Sequence, residues 1–326
     1  YGRFYEQLPM IASSWFFGDF YNLYYFYDEN PLDSDFSVDP IGGYVFDSES
    51  SYVDDLKGQY LDEFTLGYER ELGTSWKAGI RGIYRDLGMA IENTINPDGT
   101  STLGNPGHGS MSHLAKPVRQ YSALEFSVEK ILGKKLNLAA FYVLSRSYGN
   151  FAGVFDADGR NPHSHVSTQY WTDEQSSEGL LPNDRTHVFK MYGSYDFDFG
   201  LTAGGFFTWQ SGTPLCDYGG TWMGPDAYSH LVPRGTAGRT PSIWDVNLRF
   251  AYDLSRLTGG IGGTRSRLLF DVFHLFSQEE PVDIDQVRYF GPTYDPADQQ
   301  GPNPNYGTVR AYQPTMTLRF GLEVSF

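Results

Sequence analysis

The eleven residues Met316 to Phe326 alternate apolar and polar side chains without interruption. Period-two alternation places Met316, Leu318, Phe320, Leu322, Val324 and Phe326 on one face of a strand, and Thr317, Arg319, Gly321, Glu323 and Ser325 on the other. A soluble sheet can use such a strand, whereas a membrane barrel requires it, because lipid lies on one side and the barrel interior on the other.

Composition narrows the choice. Aromatic residues make up 17% of the chain, with 24 Tyr and 24 Phe, and both residue types favour strands. Mean hydropathy is −0.42. No apolar run reaches the ~18 residues a spanning helix needs, so a membrane form of this chain has to be a closed barrel. A net charge of −16 and a pI near 4.7 argue against a nucleic-acid partner, which demands a basic face. Asp28, Glu29, Asp33, Asp35, Asp39, Asp47, Glu49, Asp54 and Asp55 fall in one stretch, which reads as a solvated loop in preference to a cation site. Cys216 is the only cysteine, so no disulfide forms within the chain.

Further strands come in pairs with short turns. Glu63 to Leu72 and Ser75 to Leu87 flank Gly73-Thr74. Gln120 to Ile131 and Leu136 to Tyr148 flank residues 132–135, and His187 to Phe197 and Leu201 to Trp209 flank Asp198-Phe-Gly200. The fourth pair is the cleanest: Trp244, Val246, Leu248, Phe250, Tyr252 and Leu254 alternate with Asp245, Asn247, Arg249, Ala251 and Asp253. After a Gly-rich turn at 258–264, Leu268, Phe270, Val272 and Phe276 stand against Arg267, Asp271 and Phe273. A sandwich core does not tolerate so many ionised groups unless they are paired, whereas a wet or plugged barrel lumen is built from them.

Between the pairs lie segments rich in Gly, Pro, Asn, Asp and Ser, at about 28–58, 93–118, 151–183, 212–240 and 278–310, read here as loops without regular structure. Short turns on one side and long loops on the other are the asymmetry of bacterial outer-membrane barrels, with the short turns periplasmic. Placing Phe326 on the periplasmic side makes every short turn periplasmic. Tyr1 to Tyr5 reads as the tail of a strand, and Phe16 to Tyr27 as a β segment inside an extracellular loop. The expected fold is therefore all-β, a transmembrane antiparallel β-barrel, with about ten strands in this chain.

Several runs carry a resemblance: Asp184-Arg-Thr-His-Val-Phe-Lys-Met-Tyr-Gly193, Gln210-Ser-Gly-Thr-Pro214, Pro233-Arg-Gly-Thr-Ala-Gly-Arg-Thr-Pro241 and Asp271-Val-Phe-His-Leu-Phe276. Together with Tyr68-Glu-Arg-Glu-Leu72 and Gly79-Ile-Arg-Gly-Ile-Tyr-Arg85, they resemble the C-terminal half of TonB-dependent outer-membrane transporters, particularly the Oar-like group. The penultimate strand of those proteins commonly reads Asp-Val-Phe-Asn-Leu-Phe-Asn; here His274 and Ser277 replace the asparagines. The resemblance implies a barrel of about 22 strands with a plugged lumen, of which residues 1–326 are the last part, the plug domain and N-terminal strands lying outside this chain. It also implies active transport of a scarce ligand (a siderophore, oligosaccharide or peptide) across the bacterial outer membrane. The implied partners are TonB-ExbB-ExbD through the N-terminal part, the outer-membrane assembly machinery through Phe326, and lipopolysaccharide. A passive porin or structural outer-membrane protein is the alternative, and an outer-membrane enzyme a third reading.

Chemistry-bearing residues are sparse. His163-Ser-His165 lies close to Asp156, Asp158 and Asn161, but the spacing is too common to specify a metal. His108 and His113 lie in a Gly/Ser/His loop and are weaker still, so no metal or cofactor is expected. Ser277 follows His274, with no third partner at a spacing that would make a hydrolase triad, and no catalytic residue is expected. Loop aromatics are the ligand candidates: Tyr170, Trp171, Tyr218, Trp222 and Tyr228. Each could instead pack a loop over the barrel mouth. Trp76, Tyr195, Trp209, Trp244 and Tyr252 lie near strand ends, where an interfacial girdle accounts for them.

Overall fold

Strand pairing in the computed structural model follows the alternation. The structure describes residues 1–5, 22–26, 42–46, 50–95, 101–132, 135–152, 178–221, 224–258, 265–289 and 301–325. The main sheet is an antiparallel meander of β1 (Gly2–Tyr5), β2 (Tyr60–Leu72), β3 (Trp76–Met89), β4 (Arg119–Leu132), β5 (Leu136–Gly149), β6 (His187–Asp196), β7 (Leu201–Gln210), β8 (Ile243–Asp253), β9 (Arg265–Phe273) and β10 (Thr317–Ser325). Each strand lies beside its chain neighbour, and Gly179–Leu180 adds a short edge pairing to β5. From β2 to β10 the strands run 9 to 14 residues. A tilted membrane strand needs about 9–11 residues, so each is long enough to cross.

Register sorts the side chains into two faces. One row runs Leu201, Tyr252, Leu268 and Leu322, and another Ala203, Phe250, Phe270 and Phe320. In the second, the Phe250 and Phe270 rings lie 6.3 Å apart and Phe270 and Phe320 stack at 4.8 Å. This apolar face is open: Leu66 is 83% exposed, Phe320 72% and Leu322 65%. A sheet that leaves its most apolar residues uncovered has its oily face toward something other than its own core, and a bilayer is the solvent that such a face fits. A one-residue slip would exchange the two faces, so the register is strongly specified.

The turns have local causes. Gly73 adopts φ 72° and Gly200 φ 96°, left-handed conformations that glycine reaches without steric cost. After β8, Ser255–Thr258 forms one helical turn, with the Ser255 N–H donating to Asp253 at 3.0 Å. The Gly-rich residues that follow lie outside the described ones.

The long segments differ from the unstructured loops expected of them, because several fold back into small sheets of their own. Tyr218–Thr221 pairs with Gly224–His230 and, in parallel, with Val287–Tyr289. Pro281–Ile284 pairs with Val309–Tyr312, and Pro214–Leu215 with Gly238–Arg239. The polarity that marked these segments as loops is satisfied locally: Asn303 donates to Asp285 and to the Val287 carbonyl at 3.1 and 2.7 Å.

The chain divides into two compact units, one of Tyr1–Phe4, Leu61–Leu87 and Val118–Phe326, the other of Tyr5–Tyr60 and Gly88–Pro117. Within the second, Asn22–Phe26 pairs with Gly42–Phe46, so a β segment does occur within the expected Phe16 to Tyr27. Ser101–Gly104 lies between Ser50–Tyr52 and Glu92–Ile95. The buried Asn105 amide donates to the Lys57 and Ala90 carbonyls at 2.9 and 2.8 Å, and Asp55 accepts the Ser110 N–H at 3.0 Å. Of the acidic stretch only Asp54 and Asp55 are described, and Asp55 serves this turn.

Candidate functional site: the inward face of the sheet

The face opposite the apolar one carries the charge. Side chains that alternate with Leu124, Phe126 and Val128 on β4 are Glu125, Ser127 and Glu129, and register sets them beside Arg81, Gly79 and Lys77 of β3. Three ion pairs lace β2 to β4: Lys77 with Glu69 at 2.6 Å, Arg81 with Glu125, and Arg85 with Glu63. Glu69, Arg81, Glu125, Glu129 and Lys190 line a cavity of about 1000 Å³ within the first unit. Phe141, Val143 and Val188 share this wall with the charged groups, so the cavity is mixed, and its ionised side chains suit a wet lumen.

A denser cluster sits on β8 to β10. Asp271, whose side chain is 5% exposed, faces Arg249 on one side and Arg319 on the other. Arg249 donates to it through Nε at 2.6 Å and Nη2 at 3.1 Å, and Arg319 through Nε at 2.9 Å and Nη2 at 2.7 Å. The Arg319 guanidinium also lies 5.1 Å from the Phe273 ring centroid. One carboxylate thus holds two guanidiniums whose remaining N–H groups stay in solvent, a donor array suited to anionic or polar groups in the lumen.

Three of the resembling runs converge on one structural knot at the base of the long loops. Asp184, 1% exposed at its side chain, accepts the Ser147 N–H at 2.7 Å and Arg239 Nη2 at 2.5 Å. Arg239 Nη1 donates to the Gly212 carbonyl at 2.8 Å, Arg185 to the Ser211 carbonyl at 2.6 Å, and the Thr213 N–H to Thr240 Oγ1 at 2.9 Å. A Cβ on Gly212 would lie 1.6 Å from the Thr240 carbonyl oxygen, so glycine is required by close approach. These motif residues brace the loops, a role that their order along the chain did not disclose.

The predicted ligand aromatics fare unequally. Tyr218 is 4% exposed, packed in a small core with Cys216 and Val287, its ring 5.0 Å from that of His230. Buried among these residues, it packs the loop sheet. Tyr228 sits on Gly224–His230, its Cα opposite Gly220. Tyr170, Trp171, Trp222 and Phe326 lie outside the described residues, as do Asp156, Asp158, Asn161, His163 and His165. Nearby, Asp217 accepts hydrogen bonds from Arg288 at 3.1 Å and from the Tyr306 hydroxyl. Burial, with that bond and the carboxylate charge behind it, pushes the Tyr306 phenol up to about 12.

His108 and His113 gather no third ligand; no group of three His, Cys, Asp or Glu side chains forms among the described residues. Burial and the nearby Lys116 and Lys57 hold His108 below its ordinary value. His274 Nδ1 lies 3.1 Å from Asp245 Oδ2, while Ser277 Oγ accepts the Met316 N–H at 3.0 Å, so each serves a local contact. Both have left-handed φ, 52° and 46°, the region where asparagine is favoured over most residues. That explains the asparagines at these two places in the resembling sequences.

No protein-family model matches the chain. The TonB-dependent transporter Oar of Myxococcus xanthus is 28% identical over 309 residues, which is 83% of this chain and 29% of that protein. The chain thus spans less than a third of the length of the curated relative it matches. Among solved structures, the outer membrane transporter YddB from Escherichia coli is 12% identical with a TM-score of 0.53, over 86% of this chain and 34% of that one. The ferripyoverdine receptor of the outer membrane of Pseudomonas aeruginosa is 13% identical with a TM-score of 0.46, over 82% and 27%. By sequence the chain is similar to the TonB-dependent transporter Oar, and by fold its antiparallel sheet is similar to part of the outer membrane transporter YddB.

Proposed function

We propose that this chain forms part of the barrel of a TonB-dependent transporter in the bacterial outer membrane, carrying a scarce ligand inward past a lumen wall lined by Arg249, Asp271, Arg319 and the β2 to β4 ion pairs. The observation that carries the reading is the two-sided sheet, with exposed apolar residues on one face and ion pairs on the other. In this reading the short turns after β2, β4, β6 and β8 face the periplasm and the braced long loops face outward. Energy enters from TonB-ExbB-ExbD through the plug end of the transporter, Phe326 engages the assembly machinery, and the ligand contacts come from among the loop aromatics Tyr170, Trp171, Tyr218, Trp222 and Tyr228. No step of this activity calls for a catalytic residue.

Uptake measured in cells producing the full-length protein, with and without functional TonB, tests the proposal. Accumulation of labelled ferric siderophores, oligosaccharides or peptides that requires TonB supports it. Uptake of one of them that persists equally without TonB, with open conductance of the purified protein in planar bilayers, would replace it with the porin reading.

A further inference from the structure

The inward face of the sheet has a gap beside its charged cluster. Register lays Asn137, Ser194, Gly204, Arg249, Asp271 and Arg319 in one inward row across β5 to β10. Gly204 brings no side chain to that row. A Cβ placed there would meet nothing nearer than the Gly193 carbonyl oxygen at 3.5 Å, with Ser194 Cβ at 3.8 Å and the Arg249 carbonyl oxygen at 3.9 Å, so no neighbouring side chain closes over it. The row next nearer the long loops holds Ala139, Tyr192, Phe206 and Asn247. Tyr192 is 44% exposed and Phe206 38%, and the Phe141 ring stacks on Tyr192 at 5.9 Å. Exposed rings gain nothing from a wet lumen, and each offers an apolar face for stacking. Charge at the gap is positive, because the row sets two guanidiniums against one carboxylate that they share. Arg249 gives Nε and Nη2 to Asp271, which leaves Nη1 and the second Nη2 hydrogen as an end-on fork with no acceptor among the described residues.

We propose that Gly204, Arg249 and Phe206 form a lumen subsite for a ring-bearing anion of the transported ligand, its carboxylate or phosphate on the free fork of Arg249 and its ring over Gly204 against Phe206 and Tyr192. The inference rests on the lumen reading above and adds a ligand class to it. A fork of two N–H groups matches an oxyanion in a plane. The rings select a flat ligand over a bare ion or a short acidic side chain, either of which would fill the fork and leave Phe206 and Tyr192 uncovered.

The test titrates the full-length protein in deuterated detergent with benzoate and with acetate, which carry the same charge and differ by a ring, and reads binding by saturation-transfer NMR. Benzoate is expected to bind about fivefold tighter than acetate, the contribution of the ring contact. Arg249→Gln is expected to weaken benzoate about fivefold to tenfold, the loss of one charge-assisted contact. Asp271 keeps Arg319 as its partner in that variant, so no carboxylate is left unpaired. Gly204→Val fills the gap with every charge in place and is expected to weaken benzoate about as much. Arg70→Gln, a control on β2, is expected to change neither affinity. Equal benzoate affinity in wild type, Arg249→Gln and Gly204→Val overturns the site, and so does equal binding of benzoate and acetate by wild type. Absence of saturable benzoate binding overturns it too, and is the result expected if an acidic side chain from elsewhere in the protein fills the gap. The titration involves no transport, so these outcomes stand apart from TonB-dependent uptake, whose failure would instead overturn the transport reading.

Discussion

Replacing Asp271 by asparagine should loosen the last three strands, and the size of the effect follows from what surrounds the carboxylate. Asp271 is 5% exposed and takes four N–H groups from Arg249 and Arg319, whose side chains are 56% and 58% exposed. Breaking a fully buried ion pair costs about 3–5 kcal/mol, and an exposed pair is worth about 0–1 kcal/mol. With the acid buried and both bases largely in solvent, the expected cost is about 2 kcal/mol, since asparagine keeps one acceptor and turns an amide NH₂ against a guanidinium. Urea unfolding of the full-length protein in detergent, followed by heat-modifiable gel mobility, reads it as a lower midpoint. A cycle with Arg319→Gln is the sharper test: if the three side chains act as one unit, the double variant loses less than the sum of the singles by about 0.5–1 kcal/mol. An Asp271→Asn cost below about 0.5 kcal/mol, or strict additivity in the cycle, would refute the reasoning.

Other perturbations probe separate elements. Asp184→Ala should cost about 2–3 kcal/mol by leaving the Ser147 N–H and Arg239 unpartnered, and limited proteolysis should then cut the loops around 213–240 first. Ser277→Asn should stabilise the fold by about 0.5 kcal/mol, read as a higher unfolding midpoint, by easing a φ of 46° while keeping an acceptor for Met316, and Ser277→Val should lower the midpoint. The Tyr306 phenol, neutral and hydrogen-bonded when folded, has a raised pKa, so its stabilisation is whole below 10.0 and fades as pH rises to about 12; the unfolding midpoint in urea should fall across that window, and by less in Tyr306→Phe. Lys135 holds the Asp198 carboxyl below its ordinary 3.8, so this clamp between two turns is whole above 3.8 and is lost as pH falls through the depressed value. A fall in protection of the Gly200 amide, its exchange taken relative to the intrinsic rate at each pH, is expected in acid and is absent in Asp198→Asn. Deleting Phe326 should lower outer-membrane levels in fractionated cells; unchanged levels would remove its role in assembly.

The barrel strands were legible because their signal is local and repeated. Trp244 to Asp253 carries its two faces in its own alternation, and the observed β8 needs no distant residue to explain which side each takes. The small loop sheets were not legible because theirs is distant. Tyr218–Thr221 is short and Gly-rich, and its strand character comes from pairing with Val287–Tyr289, about seventy residues further on. The burial of Tyr218 was not legible for the same reason: an aromatic in a polar segment carries no sign of the distant partner strand that covers it.

The inward site lies between these cases, and the reason bears on how such walls are read. Arg249, Asp271 and Arg319 each fell on a polar face predicted from alternation, so that they point inward was legible. That they meet was not, because alternation fixes the face a residue takes and leaves its height open. Height comes from register, which in β8 and β9 is set by the eleven-residue connection Leu254 to Thr264, and in β9 and β10 by pairing across a far longer one. A shift of two residues keeps every face and breaks the cluster, setting Asp271 beside Asn247 or Ala251. The apolar ladder opposes that shift: Phe250, Phe270 and Phe320 stack at one height only, and the same register that joins their rings brings Asp271 between its two arginines. Phe270→Ala should therefore disturb the charged cluster through the sheet, so that its cost and that of Asp271→Asn fail to add, although the two side chains point to opposite faces. Additive costs would mean that the turns alone hold the register.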